Sequence, residues 1–165
     1  MFQNIDLNLN AGPIKNAWMR LIRQIQTTVE HMRVTNDTVA DMAKGDIVYL
    51  TAGDRQAALA IATAAATSRW VGVVAEPIPA GARGIARTDG YAYVRFETGL
   101  DMTGNEGMQV FLSTTDAGAA SITQPQDNFT KVVGTLADAT LYTNDNPYAW
   151  VVLRDCCPLS AIEPN

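Results

Sequence analysis

The sequence has few of the side chains that enzymes use for proton transfer and nucleophilic attack: its 165 residues include one histidine and two cysteines. His31 stands beside Glu30 in a segment predicted to be helical, where a histidine is usually solvated. Cys156 and Cys157 are adjacent, and neighbouring cysteines seldom form a disulfide because the ring that it closes is strained. We therefore predict no catalytic residue and a protein that is not an enzyme.

Motifs for cofactors and metals are also missing from the sequence. The glycine-rich stretch GARGIARTDG, at 81–90, has neither the Gly-Lys-Ser/Thr ending nor the strand–loop–helix context of a phosphate loop. The stretch DMTGNEG, at 101–107, lacks the acid spacing and the final glutamate of a calcium loop, so we expect a tight turn there. The sequence predicts no cofactor and no metal site.

Positive charge is sparse, with 12 lysines and arginines against 17 aspartates and glutamates and a net charge of −5. A nucleic-acid groove needs clustered basic residues, and the sequence has no basic run, so we predict no nucleic-acid partner. No apolar run approaches the roughly 18 residues of a membrane span. The start, MFQNIDLNLNAGP, lacks the charged and apolar regions of a secretory signal. We expect a soluble protein that is made in a cytoplasm and has no membrane partner.

The first 34 residues divide into two predicted segments. Residues 1–12 are polar and rich in asparagine, which predicts an extended arm. Pro13 suits the first turn of a helix. Apolar residues then recur at steps of three and four, at Ile14, Trp18, Leu21, Ile22, Ile25, Val29 and Met32. This stripe predicts an amphipathic helix over 13–34. Most of it also fits a coiled-coil pattern, so it leaves open whether the helix packs on its own domain or on a partner.

The remaining chain, 35–165, is rich in valine, threonine, alanine, glycine and aromatics, with turn residues every 8 to 12 positions. The pattern predicts strands at 47–51, 59–63, 70–76, 83–87, 91–97, 108–113, 131–137 and 148–154, with a ninth candidate at 140–142. Many short strands without alternating helices indicate a mainly β protein, a β-sandwich or β-barrel-like module of about eight strands. The alanine-rich stretch 57–67 is the exception, because alanine favours a short helix.

Two parts of this β-domain match each other at a constant offset. GDIVYLTAG, beginning at Gly45, aligns with GMQVFLSTT, beginning at Gly107. Without a gap, VGVVAEP from Val71 then aligns with VGTLADA from Val133. Two blocks in one register predict an internal quasi-repeat, 45–76 and 107–138, in which each unit is a strand, a polar loop and a second strand with a glycine in its middle.

These blocks resemble a module of tailed-bacteriophage virion proteins, above all the head decoration (capsid cement) proteins and the β-domains of some tail fibres. The shared outline is G-D-x-V-Y-L, then V-G-V-A, then A-G-x-x-G-x-A-x-x-G, then G-x-x-V-Y-L-S. The resemblance covers about residues 45–154, which is two thirds of the chain.

The resemblance implies a structural protein of the virion that binds and stabilises the capsid shell, often as a trimer, with the major capsid protein or another virion protein as its partner. It also implies that the arm and the helix make the contacts, through Phe2, Ile5, Leu7, Leu9, Ile14, Trp18, Leu21 and Ile25. Two alternatives stay open. One is a tail, tail-fibre or adaptor component of the virion. The other is a carbohydrate-binding β-module, which requires an exposed planar aromatic patch.

Overall fold

The computed structural model describes residues 31–52, 55–126 and 129–154. Within these ranges the chain forms ten strands and no helix. The strands are β1 (His31–Asn36), β2 (Ile47–Ala52), β3 (Gln56–Leu59), β4 (Trp70–Val74), β5 (Arg83–Arg87), β6 (Gly90–Arg95), β7 (Gln109–Leu112), β8 (Ala120–Ser121), β9 (Val132–Asp138) and β10 (Tyr148–Leu153). The protein is mainly β.

The predicted fold class is wrong in its amphipathic helix, because the last residues assigned to that helix form β1. Val34 and Asn36 are buried and Arg33 is exposed, which is the alternation of a strand. β1 pairs antiparallel with β5 over five residues and parallel with β3. The backbone hydrogen bonds of β1 are therefore made to strands that are distant in the sequence. The spacing of apolar residues within 13–34 does not indicate these partners. The predicted arm and the rest of the predicted helix, residues 1–30, lie outside the described residues.

Strands β1 to β5 close into a barrel, called here the first barrel, with the neighbour order β1-β3-β2-β4-β5. One small side chain from each strand fills its interior, at Val34, Val48, Ala57, Val74 and Ala86, together with Met42 and Ile78 from the loops. Ile78 packs where a Cβ at Gly84 would stand, so a glycine is required at that point of the wall. The predicted barrel is therefore found in strands β1 to β5, which are half of the ten strands.

Strands β6 to β10 form a second five-stranded sheet, the second sheet, in the order β6-β10-β9-β7-β8. An isolated parallel bridge joins Phe96, just after β6, to Ala120 of β8. The Glu97 amide donates to the Ala120 carbonyl over 2.9 Å. In the first barrel, the Asp37 amide donates to Ala57 of β3 over the same distance. The second sheet is therefore curved so that its two edge strands, β6 and β8, approach each other, whereas the first barrel closes completely.

The strands that carry the two matched sequence blocks have the same pairing. Val48 of β2 stands opposite Gly72 of β4, and Val110 of β7 opposite Gly134 of β9. In both pairs the register shifts at the next residue. Gly45 and Gly107, which open the two blocks, have φ angles of 90° and 87°. Each of these glycines donates its amide to the second strand of its block, to Val74 and Leu136 respectively.

Some predicted strands are displaced or absent. The segment predicted as a strand at 59–63 contributes only Leu59, the last residue of β3, and turns follow it. The ninth candidate, 140–142, lies in the turns that lead to β10. β8 has two residues and its sequence shows no alternation. A strand this short is defined by its hydrogen bonds to β7, which a local pattern does not encode.

A single hydrophobic core joins the two halves. It contains Ile47 and Val73, on the outer face of the first barrel, together with Val94, Leu112 and Val151 of the second sheet. β4 and the first two residues of β2 are therefore buried on both faces, one towards the barrel interior and one towards the second sheet. The first barrel and the second sheet therefore pack directly against each other.

Candidate interaction surface

A partly buried ion-pair cluster joins the first barrel to the second sheet. The Nε of Arg95 donates to Asp46 over 2.6 Å, and its Nη1 donates to Asp116 over 2.7 Å. Its Nη2 donates to the carbonyl of Ala117 over 2.6 Å. Burial alone would lower the pKa of Arg95, but the hydrogen bonds and charges of Asp116 and Asp46 outweigh it and raise that pKa. This cluster keeps the guanidinium charged and holds the surface beside it in a defined geometry.

Beside this cluster, the outer surface of β6 and β10 carries a patch of aromatic rings, called here the aromatic face. Tyr93 and Tyr148 stack with their ring centroids 5.1 Å apart and their planes 10° from parallel. The ring centroid of Trp150 lies 5.3 Å from that of Tyr93, and the two ring planes are inclined by 54°. Tyr91 and Val152 extend the patch along the same two strands, where they stand opposite each other.

The aromatic face points outward because the alternate residues of both strands are buried in the shared core. Ala92 and Val94 of β6 and Val151 of β10 are buried. In the stretch YAYVRFE, at 91–97, small or apolar residues alternate with Tyr91, Tyr93 and Arg95, which is typical of a strand with one buried face. Tyr91 is 61% exposed and Trp150 is 39% exposed. Exposed aromatic side chains in a contiguous group are typical of interaction sites, because each offers a large contact area with little side-chain entropy to lose.

The tyrosine stack is supported from below by a backbone turn. A Cβ at Gly45 would come within 2.9 Å of the Tyr148 ring and 3.0 Å of the Tyr93 carbonyl oxygen. Gly45 therefore lets the loop before β2 pass directly beneath the rings. Burial, followed by the charge of Asp46, raises the pKa of Tyr148, so its hydroxyl stays protonated at neutral pH.

Both ends of the described chain come to the same edge of this surface. His31, the first residue of β1, pairs with Arg87. Leu153, the last residue of β10, pairs with Gly90. The turn from Arg87 to Gly90 is short, and the Arg87 guanidinium donates to the Tyr91 carbonyl. Residues 1–30 and 155–165 therefore join the described chain close together, next to Tyr91.

The interaction residues predicted from the sequence all lie outside the described ranges. They are Phe2, Ile5, Leu7, Leu9, Ile14, Trp18, Leu21 and Ile25. The adjacent Cys156 and Cys157 lie outside them as well. What the structure adds is the aromatic face, whose tyrosines and tryptophan lie in the segments predicted as strands at 91–97 and 148–154. The alternation in YAYVRFE was the available signal that Tyr91 and Tyr93 share one face.

In the part of the chain that the structure describes, no three His, Cys, Asp or Glu side chains converge as a metal site. The stretch 101–107 forms turns, in which the Asp101 carboxylate accepts from the Thr103 amide over 3.1 Å. Over the same described residues, no helix has the length and apolarity to cross a membrane.

Comparison with known proteins gives a likeness in fold. No protein-family model matches the chain, and no curated protein matches it. Among solved structures, it is similar to a chain in the capsid of Myoviridae phage XM1, with a TM-score of 0.52 and 12% sequence identity. The match covers 77% of this chain and 85% of that chain. The two chains therefore share a fold and have similar lengths, and this fold is one that a phage capsid contains.

Proposed function

We propose that this protein is a structural, non-enzymatic component of a phage virion, and specifically a head decoration protein that binds and stabilises the capsid shell. The likeness in fold to a chain of a phage capsid carries the proposal. The resemblance of residues 45–154 to decoration proteins supports the finer assignment. The partner is the major capsid protein or a neighbouring virion protein, the site of action is the virion, and the working form is a homotrimer.

The aromatic face is the surface that we assign to the shell. It combines two exposed side chains, Tyr91 and Trp150, with a rigid stack behind them. Rigid aromatic anchors supply most of the binding energy in many protein interfaces. The N-terminal residues with predicted contacts join the described chain at His31, beside this surface. Both sets of contacts can therefore engage the same partner, and many copies on one shell add their modest affinities through multivalency.

The proposal is tested by measuring how much protein a shell retains. Particles are produced without this protein, and the purified wild type or the double variant Tyr91→Ser/Trp150→Ala is added back. Loss of a central aromatic anchor costs about 2 kcal/mol or more, roughly thirtyfold in affinity. We expect the double variant to occupy few sites where the wild type saturates them.

Val39→Ser serves as the matched control, because Val39 is a fully exposed apolar residue away from the aromatic face. It is expected to bind as the wild type does. A double variant that keeps its circular dichroism spectrum and saturates the shell would remove the aromatic face from the interface. A wild type that binds no particle would refute the decoration role itself.

Copy number separates a decoration protein from a tail or tail-fibre component. Hundreds of copies per virion are expected for a decoration protein, and a few to some tens for a tail part. Quantitative mass spectrometry of purified virions measures this number. A value in the lower range would replace the head assignment by the tail assignment.

A carbohydrate-binding module is the second candidate function, since the aromatic face meets its structural requirement. Tyr93 and Tyr148 form a nearly parallel stack, and Trp150 is exposed next to them. A sugar ring can lay its C–H face on such a ring. Binding to a glycan array that Trp150→Ala abolishes, without any shell binding, would favour this candidate over decoration.

A further inference from the structure

An open groove on the first barrel is lined by three arginines, and we call it the arginine groove. Arg33 lies on β1, Arg83 opens β5, and Arg55 precedes β3. No acidic residue of the described ranges 31–52, 55–126 and 129–154 lines the groove. Among the residues that the structure describes, no carboxylate lies within 4 Å of these three guanidinium groups. In a chain with a net charge of −5, such a concentration of positive charge favours an acidic ligand.

The groove is part of the barrel wall, and the wall sets the spacing of its charges. Arg83 stands opposite Thr35, and Arg33 stands opposite Ile85, across the β1–β5 ladder. The Thr35 amide donates to the Arg55 carbonyl over 2.9 Å. Ile85 is an exposed residue of the lining, so the groove offers one apolar contact among its charges.

The second sheet carries a cleft of the opposite charge, called here the acidic cleft. It lies between the loops 99–107 and 139–147, which together contain three acidic residues and no lysine, arginine or histidine. Asp101 and Glu106 line it. Leu100 also lines the cleft, and exposed Leu141 lies in the second of these loops, so the loops offer apolar side chains beside the two carboxylates.

Hydrogen bonds between its two loops keep the acidic cleft in shape. The Gly99 amide donates to the Asn144 side chain over 2.8 Å. The Leu100 amide donates to the Tyr142 hydroxyl over 3.2 Å, and that hydroxyl donates to the Glu97 carbonyl over 2.6 Å. No residue lines both the cleft and the arginine groove. One chain therefore presents two separate, complementary surfaces.

We propose that the occupant of the arginine groove is a second copy of this chain, which inserts the rim of its acidic cleft. Arg33, Arg55 and Arg83 of one copy face Asp101 and Glu106 of the next, and Ile85 meets the apolar side of the loops. Because the two surfaces differ, this contact is head-to-tail, and each copy keeps one surface available for another neighbour. Such contacts close into a ring when the rotation between copies allows it.

This inference extends the proposed function, because a ring of copies on a shell adds contacts between neighbours to the contacts with the shell. It is tested on the purified protein alone, so it can fail while the decoration role stands. Substitutions in the aromatic face are expected to leave it unchanged.

The test is light scattering at a series of protein concentrations, in 50 mM and 500 mM salt. We expect the average mass of the wild type to rise above 17.8 kDa with concentration in low salt. We also expect the association to weaken by roughly tenfold in high salt, since the screening length falls from about 14 Å to about 4 Å between the two salt concentrations.

Two variants then separate the two surfaces. Arg33→Glu/Arg83→Glu reverses the charge of two of the three arginines in the groove. Asp101→Asn/Glu106→Lys alters the cleft and keeps an oxygen for the Thr103 amide. Each variant alone is expected to remain at the mass of one chain. An equimolar mixture is expected to associate, because the intact groove of one variant meets the intact cleft of the other.

Arg69→Glu/Arg154→Glu is the matched control for the groove variant, since both residues are exposed and line neither surface. It is expected to associate as the wild type does. The proposal is overturned if the wild type stays monomeric at all concentrations in low salt. It is also overturned if a folded groove or cleft variant associates like the wild type, or if the mixture of the two stays monomeric.

Discussion

Replacing Arg95 by methionine is expected to destabilise the fold more than any other single substitution of a charged residue in the described chain. The guanidinium makes three hydrogen bonds of 2.6–2.7 Å across the junction of the first barrel and the second sheet. Methionine keeps much of the side-chain volume and removes all three. The expected loss of stability arises because the carboxylates of Asp46 and Asp116 remain without their cationic partner.

The two carboxylates contribute unequally, because their exposure differs. The Asp46 side chain is 5% exposed, and that of Asp116 is 45% exposed. An unpaired charge left in a buried position costs about 3–5 kcal/mol, whereas water screens the partly exposed one. Asp46 keeps one hydrogen bond, from the Ala43 amide over 2.8 Å. We therefore expect Arg95→Met to lower the free energy of unfolding by about 3 kcal/mol, and Asp116→Asn by about 1 kcal/mol or less.

Urea denaturation followed by tryptophan fluorescence measures both values, and thermal melting gives an independent check. For a chain of this size, about 3 kcal/mol corresponds to a fall in Tm of roughly 6–12 °C. Arg69→Met is the control, because Arg69 is exposed. The double variant Arg95→Met/Asp46→Asn is expected to recover part of the loss, since it removes the stranded charge.

The reasoning is refuted if folded Arg95→Met loses less than about 1 kcal/mol, which is the range of an ordinary surface pair. It is also refuted if Asp116→Asn costs as much as Arg95→Met, since burial would then not determine the contribution of each partner. A double variant less stable than Arg95→Met would show that Asp46 is not the source of the cost.

Gly134→Ala is expected to lower the free energy of unfolding by several kcal/mol through overpacking, because the new Cβ would overlap the carbonyl oxygen of Val152. Gly72→Ala is expected to lower it less, since its Cβ would stand 2.8 Å from the carbonyl oxygen of Arg87. Equal melting temperatures for the two variants would contradict this order. Hydrogen bonds from Thr140 lower the pKa of Asp138 below its ordinary 3.8. Because the folded pKa is the lower one, these bonds stabilise the fold above pH 3.8, and their contribution disappears as the pH falls through the folded pKa. A carboxyl carbon NMR titration checks the direction, and a midpoint for Asp138 at or above 3.8 would contradict it.

Local pattern predicted the central strands well, and it failed where a strand depends on a distant partner. The strand 83–87 agrees with β5 to the residue, because its Gly and Asp-Gly boundaries are turn signals in the sequence itself. β1 was assigned to a helix, since Met32 continues the spacing of the apolar stripe before it. Its strand conformation is stabilised by β5 and β3, which lie about 20 to 50 residues further along the chain.

The candidate surfaces were accessible to sequence reasoning only in part. Alternation in YAYVRFE placed Tyr91 and Tyr93 on one face, but nothing in it indicated that Tyr148 and Trp150 lie on the neighbouring strand. The same holds for Arg33, Arg55 and Arg83, which are spread over 50 residues and were interpreted as dispersed charge. Pairing of β1 with β5 and β3 brings them to one groove.

The sequence by itself determined which residues of most strands face inward, where the turns fall, and that two blocks match at a constant offset. Those properties depend on side chains at neighbouring positions, and hydrophobic alternation and glycine placement report them directly. Only the tertiary structure decided that five strands close into a barrel, that a second sheet packs on it, and that aromatic rings and arginines gather on separate surfaces. These depend on which strands become neighbours, and that choice is made by the packing of the whole core and by backbone hydrogen bonds whose donors and acceptors are the same in every residue except proline.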